Sequence, residues 1–138
     1  MVTACGGVLR YILQYSGLGE VIGNAVASAS LPMVIVAFIV AALVRISVGS
    51  ATVAMTMGAG IIAAMPEIAG LSPLHLACIT ASIAGGATVC SHFNDSGFWL
   101  VKSLLGMDEK TTLKTWTVME TLVGGTGFII ALIISIFV

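Results

Sequence analysis

The sequence predicts an all-α integral membrane protein whose transmembrane helices are joined by a re-entrant or broken-helix hairpin. Three observations carry that prediction. Hydrophobic residues make up 59% of the chain and charged residues only 8%, with a mean hydropathy of +1.16. Soluble domains carry about 25% charged residues, so this chain lacks the polar groups to cover a globule in water. Next, no Asp, Glu, Lys or Arg falls between Glu20 and Arg45, between Arg45 and Glu67, or between Glu67 and Asp95. Each interval exceeds the roughly 18 uncharged residues that mark a membrane span. Finally, two polar or small-residue stretches cut the apolar pattern: GSAT (Gly49–Thr52) and SHFNDSG (Ser91–Gly97).

In chain order, Val2 to Tyr15 reads as a short apolar piece. Gly17 to Ser30, rich in Gly, Ala and Ser, reads as a helix at the membrane interface or packed closely on protein. Residues 31–48 form a span with Pro32 where a helix can start. GSAT interrupts it, and 49–65 resumes as a hairpin-like apolar piece too short to cross comfortably. Pro66 to Leu71 is a turn, after which Ser72 and Pro73 supply the N-cap and first position of a helix over 73–90. Residues 98–105 make a half-helix that Gly106 can close in the left-handed conformation. Asp108 then caps a helix that starts polar and becomes the last span, 116–138. One membrane-embedded domain accounts for the whole chain.

Composition also excludes functions. A formal net charge of -1 leaves no electrostatic footprint for nucleic acid. Cys5, Cys78 and Cys90 are odd in number and lie in apolar surroundings, so they read as buried small hydrophobes. They make no zinc-ligand spacing with His75 and His92, and neither a metal nor a cofactor is expected. Ser91, His92 and Asp95 lie too close along one segment for a hydrolase triad. The start of the chain lacks the charged n-region of a cleavable signal peptide. Lys102, Lys110 and Lys114 precede the last span, which favours a cytoplasmic connection and an outside C-terminus.

The two breaks hold the candidate chemistry. Hydrocarbon cannot satisfy the backbone groups that a broken helix exposes, so such breaks survive only against protein or a watery cavity. Paired half-helix ends are how secondary transporters build midplane sites. Gly49, Ser50 and Thr52 at one break, with Asn94 and Ser96 at the other, are the expected substrate ligands. Small-residue packing explains GSAT about as well. Arg45 either binds a substrate carboxylate bidentately or snorkels to the headgroups. Asp95 is the expected proton-coupling carboxylate and His92 a proton relay, while a helix cap is the plainer reading of the Asn94–Ser96 stretch. Glu120 sits where a helix dipole favours a carboxylate, and Trp116 reads as an interfacial anchor.

RISVGSATVA (Arg45–Ala54), LSPLHLA (Leu71–Ala77), SHFNDSGFWLVK (Ser91–Lys102) and TLKTWTVMET (Thr112–Thr121) carry a resemblance that extends nearly end to end. GGVLRYILQYSGLG (Gly6–Gly19) adds to it. The chain resembles the C-terminal third of the gluconate permease family, bacterial gluconate:proton symporters. That resemblance implies proton-coupled transport of gluconate, or of a similar small carboxylate such as D-serine, across the plasma (inner) membrane by a multi-pass protein, not an enzyme. By analogy with broken-helix ion transporters, it implies that Gly49–Thr52 is a hairpin tip and Ser91–Ser96 an unwound region of the second half. Family members are several times longer. The partners implied are therefore substrate, proton and membrane lipid, with a missing N-terminal half or a second copy completing the site. A non-transporting remnant or helix-packing partner is the alternative.

Overall fold

The computed structural model describes Tyr15 and residues 31–138. The expectations for Gly17–Ser30, for Cys5 and for most of Val2–Tyr15 lie outside the described residues. Those described form helices joined by turns, with no strand among them.

Helix α1, Met33–Val48, starts behind Pro32 and stops at Gly49, which takes the left-handed conformation at φ 80° and returns its N–H to the Arg45 carbonyl. Helix α2, Ala51–Ala63, follows at once, with Ser50 Oγ accepting from the Val53 N–H. A 3-10 turn, Pro66–Ile68, leads to α3, Pro73–Thr88, where Ser72 is the expected cap and its Oγ accepts from the His75 N–H. The second break precedes α4, Ser96–Leu104, and Gly106 then turns the chain at φ 62°. The last helix, α5, runs from Glu109 to Ile136 over 28 residues, and Asp108 caps it. Hydrogen bonds from Thr111 hold the exposed Asp108 carboxyl below the usual carboxylate range. Within α5, Leu113–Thr117 widens into a π turn.

Helix α3 is the centre of the packing, with α1 and α5 against it and α2 resting on both α1 and α3. Small residues let the backbones approach. A Cβ on Gly86 would lie 2.3 Å from the Phe38 carbonyl oxygen. One on Gly124 would lie 2.4 Å from that of Gly85. Such contacts are how helices associate where lipid removes the hydrophobic drive between them. Val34, Ala37, Ala41, Ala54, Ile83 and Ala87 fill the seam.

Outside the seam the surface is greasy. Leu122, Val123, Ile129, Ile130 and Ile133 of α5 are all more than half exposed. A contiguous apolar face of this kind matches hydrocarbon and not water. Among the described residues α5 is the helix long and apolar enough to cross a membrane. α1 and α3, at 16 residues each, are shorter than the ~20 a perpendicular span requires. Both end at the breaks, and the breaks set their length.

Candidate functional site

The two breaks meet. Gly49 sits against Asn94, so closely that a Cβ on Gly49 would lie 2.2 Å from the Asn94 carbonyl oxygen. Asn94 Nδ2 donates to the Ile46 carbonyl at 2.7 Å, so its amide ties the second break to the last turn of α1. The approach is possible because residue 49 is glycine: any side chain would be strained at φ 80° and would collide.

Across this contact lies an ion pair. Arg45, 2% exposed, donates from Nη2 to Asp95 Oδ2 at 2.5 Å. Its Nη1 donates to the Gly49 carbonyl, capping α1 from within, and its buried Nε has no partner among the described residues. Asp95 is also bound from its own side. Ser91 Oγ donates to Oδ2 at 2.5 Å, and the Gly97 N–H donates to Oδ1 at 2.9 Å. The sequence left a snorkelling or substrate-facing Arg45 open, and a capping or proton-carrying Asp95. In the structure Arg45 faces inward onto Asp95. Asp95 caps α4 and neutralises Arg45 at the same time.

Helix α5 holds the second break in place. Trp116 Nε1 donates to Ser91 Oγ at 2.9 Å, Thr117 Oγ1 donates to the Ser91 carbonyl, and the Cys90 N–H donates to Thr121 Oγ1 at 3.1 Å. Cys90 is left-handed at φ 55°, a conformation that costs a residue with a Cβ ~1–2 kcal/mol. Such strain concentrates at functional sites. The π turn lies just where Trp116 and Thr117 must reach Ser91, and π turns often mark such places. Sequence reasoning missed this part of the site and took Trp116 for an interfacial anchor. The available signal was the pairing of SHFNDSGFW with LKTWTVMET in one resemblance.

The remaining expected residues are placed less centrally. Ser50 spends its hydroxyl on capping α2. Thr52 and Ser96 lie exposed in first turns, with no side-chain hydrogen bond among the described residues. His92 Nδ1 lies 2.7 Å from the Cys90 carbonyl. A carbonyl only accepts, so Nδ1 carries the proton and Nε2 stays free among the described residues. Phe93, Phe98 and Trp99 form an edge-on aromatic cluster beneath the break, and Trp99 Nε1 donates to the Phe93 carbonyl at 2.8 Å. No group of His, Cys, Asp and Glu among the described residues could hold a metal ion.

The model of the GntP family permeases matches residues 1–137. The chain belongs to the GntP permease family. This GntP chain is 43% identical over 133 residues to the low-affinity gluconate transporter of Escherichia coli strain K12, covering 96% of this chain and 30% of that protein. It is 38% identical over 136 residues to the gluconate permease of Pseudomonas aeruginosa, covering 99% of this chain and 30% of that protein. With the Gnt-II system L-idonate transporter of E. coli K12 it shares 36% over 134 residues, 97% of this chain and 30% of the relative. The chain thus spans about 30% of the length of these relatives. No solved structure matches. As a GntP member it is membrane-integral.

Proposed function

We propose that the chain is part of a secondary transporter that carries gluconate or a related sugar acid across the bacterial inner membrane, coupled to protons. Its breaks 49–52 and 91–97 form half of the substrate site. The rest of a longer permease, or a second copy, supplies the other half. In this reading the described helices belong to one multi-pass membrane domain. The names of the relatives support the substrate class. The single observation that carries the site is the buried Arg45–Asp95 pair at the meeting of the breaks.

A sugar acid brings one carboxylate, and Asp95 presents the same group to Arg45. Binding is an exchange. The substrate carboxylate takes Nη2 from Asp95 and adds the unpartnered Nε, giving the bidentate geometry that Asp95 does not have. In this reading Ser50, Thr52, Asn94 and Ser96, with the N-termini of α2 and α4, receive the hydroxyl groups of the polyol. His92, anchored through Nδ1, passes the coupling proton through its free Nε2.

The test is labelled gluconate uptake by cells making this chain alone, or a hybrid in which it replaces the matching segment of the E. coli low-affinity transporter. The hybrid is expected to accumulate gluconate. Arg45→Ala abolishes uptake, and Arg45→Lys lowers affinity at least ~10-fold, because a point charge cannot reproduce the fork. Thr52→Val weakens binding if the exposed hydroxyl meets substrate. Unchanged affinity in Arg45→Ala removes the arginine from the site, and a hybrid that carries nothing favours a non-transporting helix-packing role.

A further inference from the structure

We infer that Glu120, and not Asp95, takes up the coupling proton. The inference deepens the transport reading and rests on it for the substrate. Residue 120 lies about 16 Å along α5 from Glu109, in a helix of about 42 Å, and about one turn inside the apolar stretch that begins at Trp116. An ionisable group costs ~2.5 kcal/mol or more at the centre of a span and less toward its ends. Glu120 has no hydrogen bond or ion pair among the described residues to offset that cost, and it is only half-buried.

Position supplies the rest. On α5, residue 120 stands between Trp116 and Thr117 below and Thr121 beside it, three residues whose side chains all reach Cys90 or Ser91. The carboxyl lies in the field of both site charges, attracted by Arg45 and repelled by Asp95. The charged groups whose fields reach it are Arg45 from α1 and Asp95 from the second break, the segment that also carries Cys90 and His92. Around Gly124 of α5, α3 brings the Gly85 backbone and Thr88, with Val89 just after it, and Lys102 of α4 is paired with Glu109.

Charge balance then fixes a stoichiometry. Arg45, Asp95 and Glu120 together carry one net negative charge. A substrate anion would make it two beside the one guanidinium among the described residues. One proton on Glu120 restores the original charge, so one anion and one proton enter together and leave together. Asp95 is the poorer acceptor. After Arg45 turns to the substrate, Asp95 still accepts from Ser91 Oγ–H and the Gly97 N–H, and both donors favour its ionised form. Glu120 has no such donor among the described residues, so the proton relieves it most. By reciprocal linkage, substrate affinity rises as protons become available.

The experiment uses the hybrid permease. Glu120→Gln is neutral in shape and mimics the protonated form. It is expected to keep gluconate exchange across the membrane within about 3-fold while losing accumulation driven by a pH gradient. Asp95→Asn, which unpairs Arg45, is expected to lose both. Glu120→Asp restores part of the accumulation. Undiminished accumulation in Glu120→Gln, or loss of exchange together with accumulation, overturns the assignment. A readout without substrate separates this from failure of the transport reading: the pH-difference infrared spectrum. A protonated-carboxyl C=O band that titrates in the hybrid, vanishes in Glu120→Gln and persists in Asp95→Asn supports the assignment. The same band persisting in Glu120→Gln overturns it, whatever the protein carries.

Discussion

Arg45 and Asp95 illustrate how much one buried pair is asked to do. Removing either partner leaves a desolvated charge, which typically costs ~3–5 kcal/mol, whereas removing both can be nearly neutral. Arg45→Met and Asp95→Asn are each expected to lower the unfolding midpoint of the detergent-solubilised protein steeply, and the double variant to recover most of the loss. Additive losses would mean that the two groups do not interact. Ser91 is the hinge between Asp95 and Trp116. Ser91→Ala deletes a donor to the carboxylate and the acceptor of the indole, for an expected ~1–3 kcal/mol. Its effect and that of Trp116→Phe should overlap and not add, measurable in a double-mutant cycle. The residue types were readable from the sequence: a chain so poor in charge that places Arg45, Asp95 and Glu120 within apolar stretches has a use for them. Which of them touch was not readable, because Arg45 and Asp95 are 50 residues apart and no local pattern relates them.

At the scale of elements, the breaks were the most legible feature and their pairing the least. Ser72, Asp108 and Gly106 behave as their local chemistry predicts, because a cap or a left-handed turn is decided by neighbours within a few residues. α4 begins at Ser96, two residues earlier than expected, since Asp95 and not a later residue caps it. The close approach of Gly49 to Asn94 makes a sharp prediction. Gly49→Ala adds a Cβ that overlaps the Asn94 backbone at a positive φ. It should prevent the breaks from meeting, read as loss of uptake and greater protease sensitivity between 45 and 97. Native behaviour in that variant would show that the contact is dispensable. The π turn offers a second test. Deleting Thr115 should tighten Leu113–Thr117 to an ordinary helix, swing Trp116 away from Ser91 and abolish transport while α5 still inserts.

For the whole molecule, the membrane solvates what the fold leaves bare. The apolar face of α5 and the exposed Ile39, Leu43 and Ile46 of α1 have no partner within the described residues, and lipid or the remainder of the permease is what can cover them. Lys102, Lys110 and Lys114 at the polar end of α5 predict an orientation with that end in the cytoplasm. A reporter fused after Val138 is expected to be active in the periplasm and inactive in the cytoplasm, and the opposite result would invert the topology. In this orientation Glu120 is reached from the cytoplasmic side through the shorter part of α5.

The sequence by itself determined the solvent, the helical class, the caps and the two places where helices break, because each depends on composition or on neighbours along the chain. Through the resemblance it also pointed to the permease family. Only the tertiary structure decided that the breaks face each other, that Arg45 neutralises Asp95, that Trp116, Thr117 and Thr121 hold the second break, and that Glu120 stands among them without a partner among the described residues. Those are contacts between segments far apart in sequence. They are set by the crossing of α1, α3 and α5 at glycines that allow close approach, and that geometry has no signature in a local pattern.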